Sequence, residues 1–258
     1  MGFSSPQWRF YDHLIDSVPQ AATIEAATFG LYWVAIKSSQ GGTGLAYILP
    51  HQARTPLPAP ESLIGLKLAR LAERIKSWDL TETAMGLAAV TAAANSALLQ
   101  GGLTAQSPEA GTAAFDFHLS RAKDKKVAVV GHFPHLENLR RVAKEFYILE
   151  RDPQPGDLPD TAAEYLLPEM EMVFVTGSSL VNKTLPRLLE LAAGAWVGLV
   201  GPSVPLLPSL FDFPLSSLSG SVFVDYPLIA KAIKEGQTSS LFRYGGFRVN
   251  LGPNFRKD

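Results

Sequence analysis

The chain of 258 residues contains no cysteine. That single absence excludes disulfides, thiolate zinc sites, iron–sulfur clusters and thiol nucleophiles together. Charge of either sign is also scarce: only 18% of residues are charged, with 23 basic against 24 acidic side chains and a net of −1. No basic surplus speaks for a nucleic-acid partner. Long apolar runs are missing too. The most apolar stretch, Ala84–Leu99, is interrupted by Gly86, Thr91, Asn95 and Ser96, short of the ~20 apolar residues that a spanning helix needs. The start, Met1-Gly2-Phe3-Ser4-Ser5-Pro6, has neither a basic region followed by an apolar one nor a hydroxyl where myristoylation requires it. A soluble, cytoplasmic protein without membrane or nucleic-acid partners is the expectation.

What the chain does have is 47% hydrophobic residues, ample for one large domain or two small ones. Its two halves are patterned differently. Ser5-Pro6 offers a helix opening, and Trp8, Tyr11, Leu14 and Ile15 recur at helical spacing. Ala22–Phe29, Leu31–Lys37 and Leu45–Leu49 read as strands, separated by Gly30 and by Gly41-Gly42-Thr43-Gly44. A proline-rich connector over 50–60 and helices near Leu63–Ser77 and Thr81–Gln100, the latter opened by Thr81, complete an αβββαα order. Trp8, Tyr11, Trp33 and Trp78 read as packing residues. After a polar seam through Gly111, strand and helix alternate. Strands are expected at Val127–Val130, Phe146–Leu149, Met172–Val175, Ala195–Val200 and Ser221–Val224. Helices are expected near Leu136–Lys144, before Leu167, at Leu180–Ala192 and at Leu228–Lys234. Such alternation predicts an α/β fold with a mostly parallel sheet, and the boundary falls between 1–105 and 106–258.

Ligands of open parallel sheets bind at the carboxyl ends of the strands, so the candidate site residues are read from those ends. Gly131 follows the first strand of the second half, but the further glycines of a dinucleotide fingerprint are absent: Phe133 and Leu136 stand there. Glu150 ends the second strand nineteen residues beyond Gly131, about where an acid grips ribose hydroxyls. The third end carries Thr176-Gly177-Ser178-Ser179-Leu180-Val181-Asn182-Lys183-Thr184. There Gly177, Ser178, Asn182 and Thr184 are candidate ligand-binding residues at a helix mouth. Plain capping by Ser178 or Ser179 would use the same donors without a ligand. Gly201 and Ser203 of the Gly201-Pro202-Ser203-Val204-Pro205 turn complete the set. For a metal, only His132 and His135 stand out, with no third ligand at metal spacing. No Walker loop, nucleophile elbow or His-Glu-x-x-His run is present.

These same segments resemble one family. The Thr176–Thr184 stretch, Gly201-Pro202-Ser203-Val204-Pro205-Leu206, the Glu150-Arg151 turn and Val130-Gly131-His132-Phe133-Pro134 are similar to the family named putative heavy-metal chelation. Trp8-x-x-Tyr11-Asp12, Gly42-x-Gly44-Leu45-Ala46 and Gly86-Leu87-Ala88-Ala89 resemble the leader domain that accompanies it. The resemblance implies an α+β leader similar to the enolase N-terminal fold, a Rossmann-like second domain, and a site in the cleft between them. One departure is Val90-Thr91, where the leader is expected to read Ile-Asn; Asn95, one helical turn later, is a substitute on the same face.

Three functions follow as expectations. The first is binding of a small anionic molecule or metal complex in the interdomain cleft. The second is a nucleotide-dependent transferase or oxidoreductase on a degenerate Rossmann site. The third is a non-catalytic binding or regulatory protein. The cofactor, the reaction and the oligomeric state are not read from the sequence. If the cleft is a site, Glu150, Ser178, Asn182 and Ser203 face one pocket beside the backbone of Gly131 and Gly177.

Overall fold

The computed structural model describes residues 8–49 and 62–255. The Ser5-Pro6 helix opening and the proline-rich connector over 50–60 therefore lie outside the described residues. The first half runs α1 (Trp8–Asp16), β1 (Ile24–Phe29), β2 (Trp33–Ser38), β3 (Thr43–Tyr47), α2 (Leu68–Ala72) and α3 (Leu80–Gln100), the expected αβββαα order. The second half runs α4 (Ala114–Phe117), α5 (Leu119–Ala122), β4 (Lys126–Val130), α6 (Glu137–Val142), β5 (Glu145–Glu150), β6 (Leu158–Pro159), α7 (Ala163–Leu166), β7 (Met172–Thr176), α8 (Leu185–Leu191), β8 (Trp196–Val200), β9 (Ser217–Phe223), α9 (Tyr226–Lys234) and β10 (Gly246–Leu251).

All ten strands join one sheet of order β1-β2-β3-β9-β8-β7-β4-β5-β6, with β10 also pairing β9. From β4 to β9 every pairing is parallel. Taken in chain order from β4, this part reads 3-2-1-4-5-6, the order of doubly wound sheets. The β1–β3 meander and β10 are antiparallel. Continuous apolar runs such as Val127–Val130 and Met172–Val175 are buried on both faces, as interior parallel strands require.

The two halves meet at a narrow join, Thr43 of β3 opposite Phe223 of β9. Asn95 of α3, fully buried, donates Nδ2–H to the carbonyls of both Thr43 (2.8 Å) and Ser221 (3.2 Å) and so ties the strands together where they part. A single apolar core runs from Phe10, Tyr11 and Leu14 of α1 through α3 to Val175, Leu180, Val181 and Leu206 of the second half. The Tyr11 hydroxyl donates to the carbonyl of Leu180 at 3.1 Å. Helix α3 reaches this position because glycines stand in β3, at Gly44, and just before it, at Gly42. A Cβ on Gly42 would lie 2.4 Å from the Ala92 carbonyl, and one on Gly44 would lie 2.1 Å from that of Ala88.

Several expectations are corrected. Asp79, not Thr81, caps α3, its carboxylate accepting the N–H groups of Thr81 and Glu82; an ionised acceptor at a helix N-terminus gains from the dipole as well as the bond. No continuous helix spans Leu180–Ala192. A 3-10 turn at Gly177–Leu180 precedes α8, and Lys183, with φ 65°, breaks the run. Strand β9 starts at Ser217, four residues before the expected Ser221, because its first residues pair with β8. Trp78 is not a packing residue: it is 75% exposed, resting edge-on against Trp8. Strand β10 and the short α4 and α5 escaped the sequence reading altogether.

Two outcomes are expected from this packing. Replacing Gly44 by Ala forces a methyl into the backbone of α3 and is expected to cost at least about 2 kcal/mol, read as a lower urea midpoint at unchanged slope. The second concerns His118, 8% exposed, whose Nε2 lies 3.1 Å from Ser217 Oγ between Trp196 and Phe174. Burial, with a smaller contribution from Arg121, lowers its pKa to about 4. The unfolded chain then binds a proton near pH 6.5 that the folded chain refuses until about pH 4. Stability is therefore complete above about pH 6.5 and falls as the pH drops toward 4, by about 3 kcal/mol. Urea unfolding of the native chain and His118→Phe across that window checks it: the variant loses this part of the acid slope.

Candidate functional site

In the 3-2-1-4-5-6 sheet the chain leaves β4 toward β5 and β6, then returns to the opposite side of β4 as β7. The crossovers diverge there, and sheets of this order bind their ligands beside such carboxyl ends, here those of β4 and β7. Gly131, immediately after β4, has φ 106°, and Gly201, after β8, has φ 120°. A Cβ on Gly131 would lie 3.0 Å from Thr176 Cβ. Both the left-handed backbone and this close approach require glycine. The Phe133 ring covers the floor, 3.2 Å from the Cβ position of Gly131 and 4.0 Å from that of Gly201.

Beside this floor stands a His–Asp pair. His132 Nδ1 lies 2.8 Å from Asp157 Oδ2, which also accepts the Gln154 N–H. The carboxylate only accepts, so Nδ1 carries the hydrogen of the neutral ring and Nε2 keeps its lone pair. Glu150 closes the same corner: its Oε2 accepts the His132 backbone N–H at 2.7 Å and its Oε1 accepts that of Arg151 at 2.6 Å. From the first half, Tyr47 reaches toward the corner. Its phenol pKa is raised first by burial, then by Tyr32, with which it stacks at 6.4 Å, and then by the charge of Glu150. Its backbone N–H donates to Ser203 Oγ at 3.0 Å.

The sequence-derived residues thus divide. Gly131, Glu150, Gly201 and His132 gather at the strand ends. Gly177 lies against the Ser203–Val204 backbone, 3.0 Å from its Cβ position to Val204 N. Ser203, 2% exposed, is a clamp to β3. Asn182 and Thr184 serve each other: Asn182 Oδ1 accepts both the Thr184 N–H and its hydroxyl. Ser179 donates to the Thr176 carbonyl, and Thr176 Oγ1 accepts the Ser178 N–H. Ser178 is the member of this stretch whose hydroxyl makes no hydrogen bond among the described residues. His135 is exposed, with φ 64°. Asp157 escaped the sequence reading, since nothing in the spacing of His132 and Asp157 marks them as a pair; its only signal was a carboxylate after the proline-rich turn that follows Glu150. Thr91 is buried and returns its hydroxyl to the Leu87 carbonyl.

Among the described residues no group of three or more His, Asp or Glu side chains is placed to hold a metal ion. Two cavities stand out elsewhere: about 730 Å³ between β1 and α9, and about 330 Å³ beside Arg121, Lys125 and Trp196. Neither is lined by the strand-end residues.

The fold and these segments have counterparts. The profile of the family DUF364, described as "Putative heavy-metal chelation", matches residues 113–251, and that of DUF4213, with the same description, matches residues 11–94. An uncharacterised protein of Methanocaldococcus jannaschii is 29% identical over 219 residues, 82% of each chain. A DUF364 crystal structure from Desulfitobacterium hafniense, of unknown function, superposes with a TM-score of 0.85 at 34% identity, covering 95% of this chain and 98% of that one. A DUF364 structure from Pyrococcus horikoshii gives 0.77 at 20% identity over 95% and 99%.

The Tyr47–Glu150 approach across the two halves is open to measurement. Glu150→Gln removes the charge that holds the phenol up and is expected to lower the Tyr47 ionisation midpoint, read in a spectrophotometric pH titration against a Tyr47→Phe reference. An unchanged midpoint would mean that the two side chains do not share the corner.

Proposed function

The chain belongs to the DUF364 family, and from that premise we propose that it binds a metal complex, a metal ion already held by a small anionic chelator, in the strand-end crevice. We read residues 1–105 and 106–258 as its two domains, enolase-N-terminal-like and Rossmann-like, with the crevice between them. The observation that carries the proposal is the His132–Asp157 pair at 2.8 Å. A carboxylate on one imidazole nitrogen fixes the tautomer and raises the basicity of the other, the usual outer-shell arrangement of a metal-binding histidine.

The remaining chemistry argues that the chelator comes with the ion. Without cysteine the chain lacks the ligands that soft metals prefer, and its described side chains form no three-ligand cluster. One histidine nitrogen fills a vacant position on a complex; it does not extract a free ion. Phe133 and the stacked Tyr32–Tyr47 pair supply flat apolar surface for an organic ligand, while the Ser178 hydroxyl supplies an uncharged polar group; the N–H groups of Gly131 and Gly201 already donate to the carbonyls of Leu149 and Ser219. We read the partner as a small molecule; no described helix is long and apolar enough to cross a membrane.

The doubly wound strand order and the position of Glu150 favour a second reading, a nucleotide-dependent enzyme. Against it, Glu150 already accepts the backbone N–H groups that a phosphate would use, and no helix begins until Glu137, so the dipole that holds a pyrophosphate is not at the turn.

The probe is nickel nitrilotriacetate, which leaves coordination positions open for imidazole. It is expected to raise the melting temperature by about 2–4 °C per kcal/mol of stabilisation at the ligand concentration used, with nitrilotriacetate alone inert and His132→Ala abolishing the shift at unchanged unliganded stability. Equal shifts in native and variant chains would remove the basis of the proposal. A shift given instead by NAD, adenosine nucleotides or S-adenosylmethionine would favour the second reading.

A further inference from the structure

Strand β10 brings to β9 an arginine that the crevice does not use. Arg248 stands opposite Ser221, and Asn250 opposite Ser219, so all four side chains leave the same face of the sheet. That face also carries Ser217 with its partner His118. Arg248 stacks on Phe242 of the Leu241–Arg243 turn, its Cζ 3.8 Å from the centre of the ring, and the Cζ of Arg243 lies 5.9 Å from the same centre. Neither guanidinium forms an ion pair or a hydrogen bond among the described residues.

A half-buried guanidinium without an acid carries an uncompensated cost, because a charge taken from water calls for a partner. Burial lowers the pKa of Arg248; Asp116 of α4 opposes from beyond ion-pair range, and the like charge of Arg243 adds to the lowering. The hydroxyls on the same face are equally unengaged. Ser219 is 4% exposed, and its Oγ has no hydrogen-bond partner among the described residues. Ser221, also buried, makes no hydrogen bond there through its side chain. Two cations and two hydroxyls thus share one place with nothing to accept from them.

We propose that Arg248, Arg243, Ser219 and Ser221 form a binding site for a doubly charged oxyanion, the phosphate of a small phosphomonoester or the paired carboxylates of a small diacid. Stacked on Phe242, the Arg248 guanidinium keeps its N–H groups in one plane, where they match two oxygens of such a ligand. Arg243 supplies the second positive charge, and the serine hydroxyls rotate to donate. The anion offsets the repulsion between the two guanidinium groups and gives the Ser219 hydroxyl its missing partner. This is not the His132 corner: β9 stands three strand spacings from β4, roughly 14 Å, and the site requires no metal.

Isothermal titration of the full chain at low ionic strength, without metal, tests it with inorganic phosphate and malonate as separate probes. The native chain is expected to bind at least one of them at a single site, and the tighter of the two tells a phosphomonoester from a diacid. Arg248→Gln should weaken that binding about tenfold or more, and Arg243→Gln, which alters an exposed side chain, about threefold. Asp116→Asn, which removes an opposing negative charge, should tighten it. Ser219→Ala should weaken binding about fivefold at an unchanged urea midpoint, since the hydroxyl it removes has no partner in the free chain. His132→Ala should leave the affinity unchanged, which separates this site from the metal-complex reading. Failure of the native chain to bind either probe, or equal affinity in the native, Arg248→Gln and Ser219→Ala chains, would overturn the proposal.

Discussion

The molecule depends on the approach of one helix to one strand. α3 lies on β3 at backbone distance because Gly42 and Gly44 present no side chains where Ala88, Ala92 and Ser96 come down. The small residues of the helix complete the fit, and polar groups lock it: Ser96 Oγ accepts the Gly42 N–H and donates to the Ala92 carbonyl. Interiors close-packed to this degree tolerate little added volume. The contact also decides where the two halves meet. Only with α3 this close can Asn95 reach the carbonyls of Thr43 and Ser221 together, and only with β3 so held does Tyr47 bring its N–H to Ser203 and its phenol toward Glu150. A packing constraint in the first half thereby sets the wall of a crevice in the second.

Much of this was legible in the sequence, for identifiable reasons. Val127–Val130 and Met172–Val175 are short apolar runs followed by Gly or Thr-Gly, and doubly buried strands have that signature. Glu150 fell at a strand end because its distance from Gly131 is set by one crossover helix. What stayed hidden depends on tertiary pairing. Strand β10, with Arg248 and Asn250 among its residues, is a strand because β9 offers it an edge. Asp157 belongs to the site because the turn after β5 folds back on the turn after β4. Asp79 rather than Thr81 caps α3 because two local acceptors competed and the ionised one prevailed.

The stretch from Thr176 to Thr184 carries a further lesson. Gly, hydroxyls and an amide at a strand end fit two uses, holding a ligand or satisfying a chain that must turn. Here most of those groups turn the chain: Thr176, Ser179, Asn182 and Thr184 spend their polar atoms on one another or on local backbone. Without a continuous helix after β7, the residues following Gly177 need such bonds, since buried backbone groups left unpaired are costly. The composition of a motif says which groups are available, and the local backbone decides which remain free.

Charge narrows what the crevice can hold. Glu150 and Asp157 place two carboxylates beside His132, and the guanidinium of the neighbouring Arg151 lies 3.6 Å from Asp160. A free anion entering that corner would meet the like charge of Glu150 and Asp157. In the proposed reading, a complex whose metal faced the imidazole would meet the opposite condition, because the two carboxylates would stabilise its positive centre. The same arrangement that makes an unaccompanied phosphate a poor ligand therefore favours the metal-bearing one proposed above.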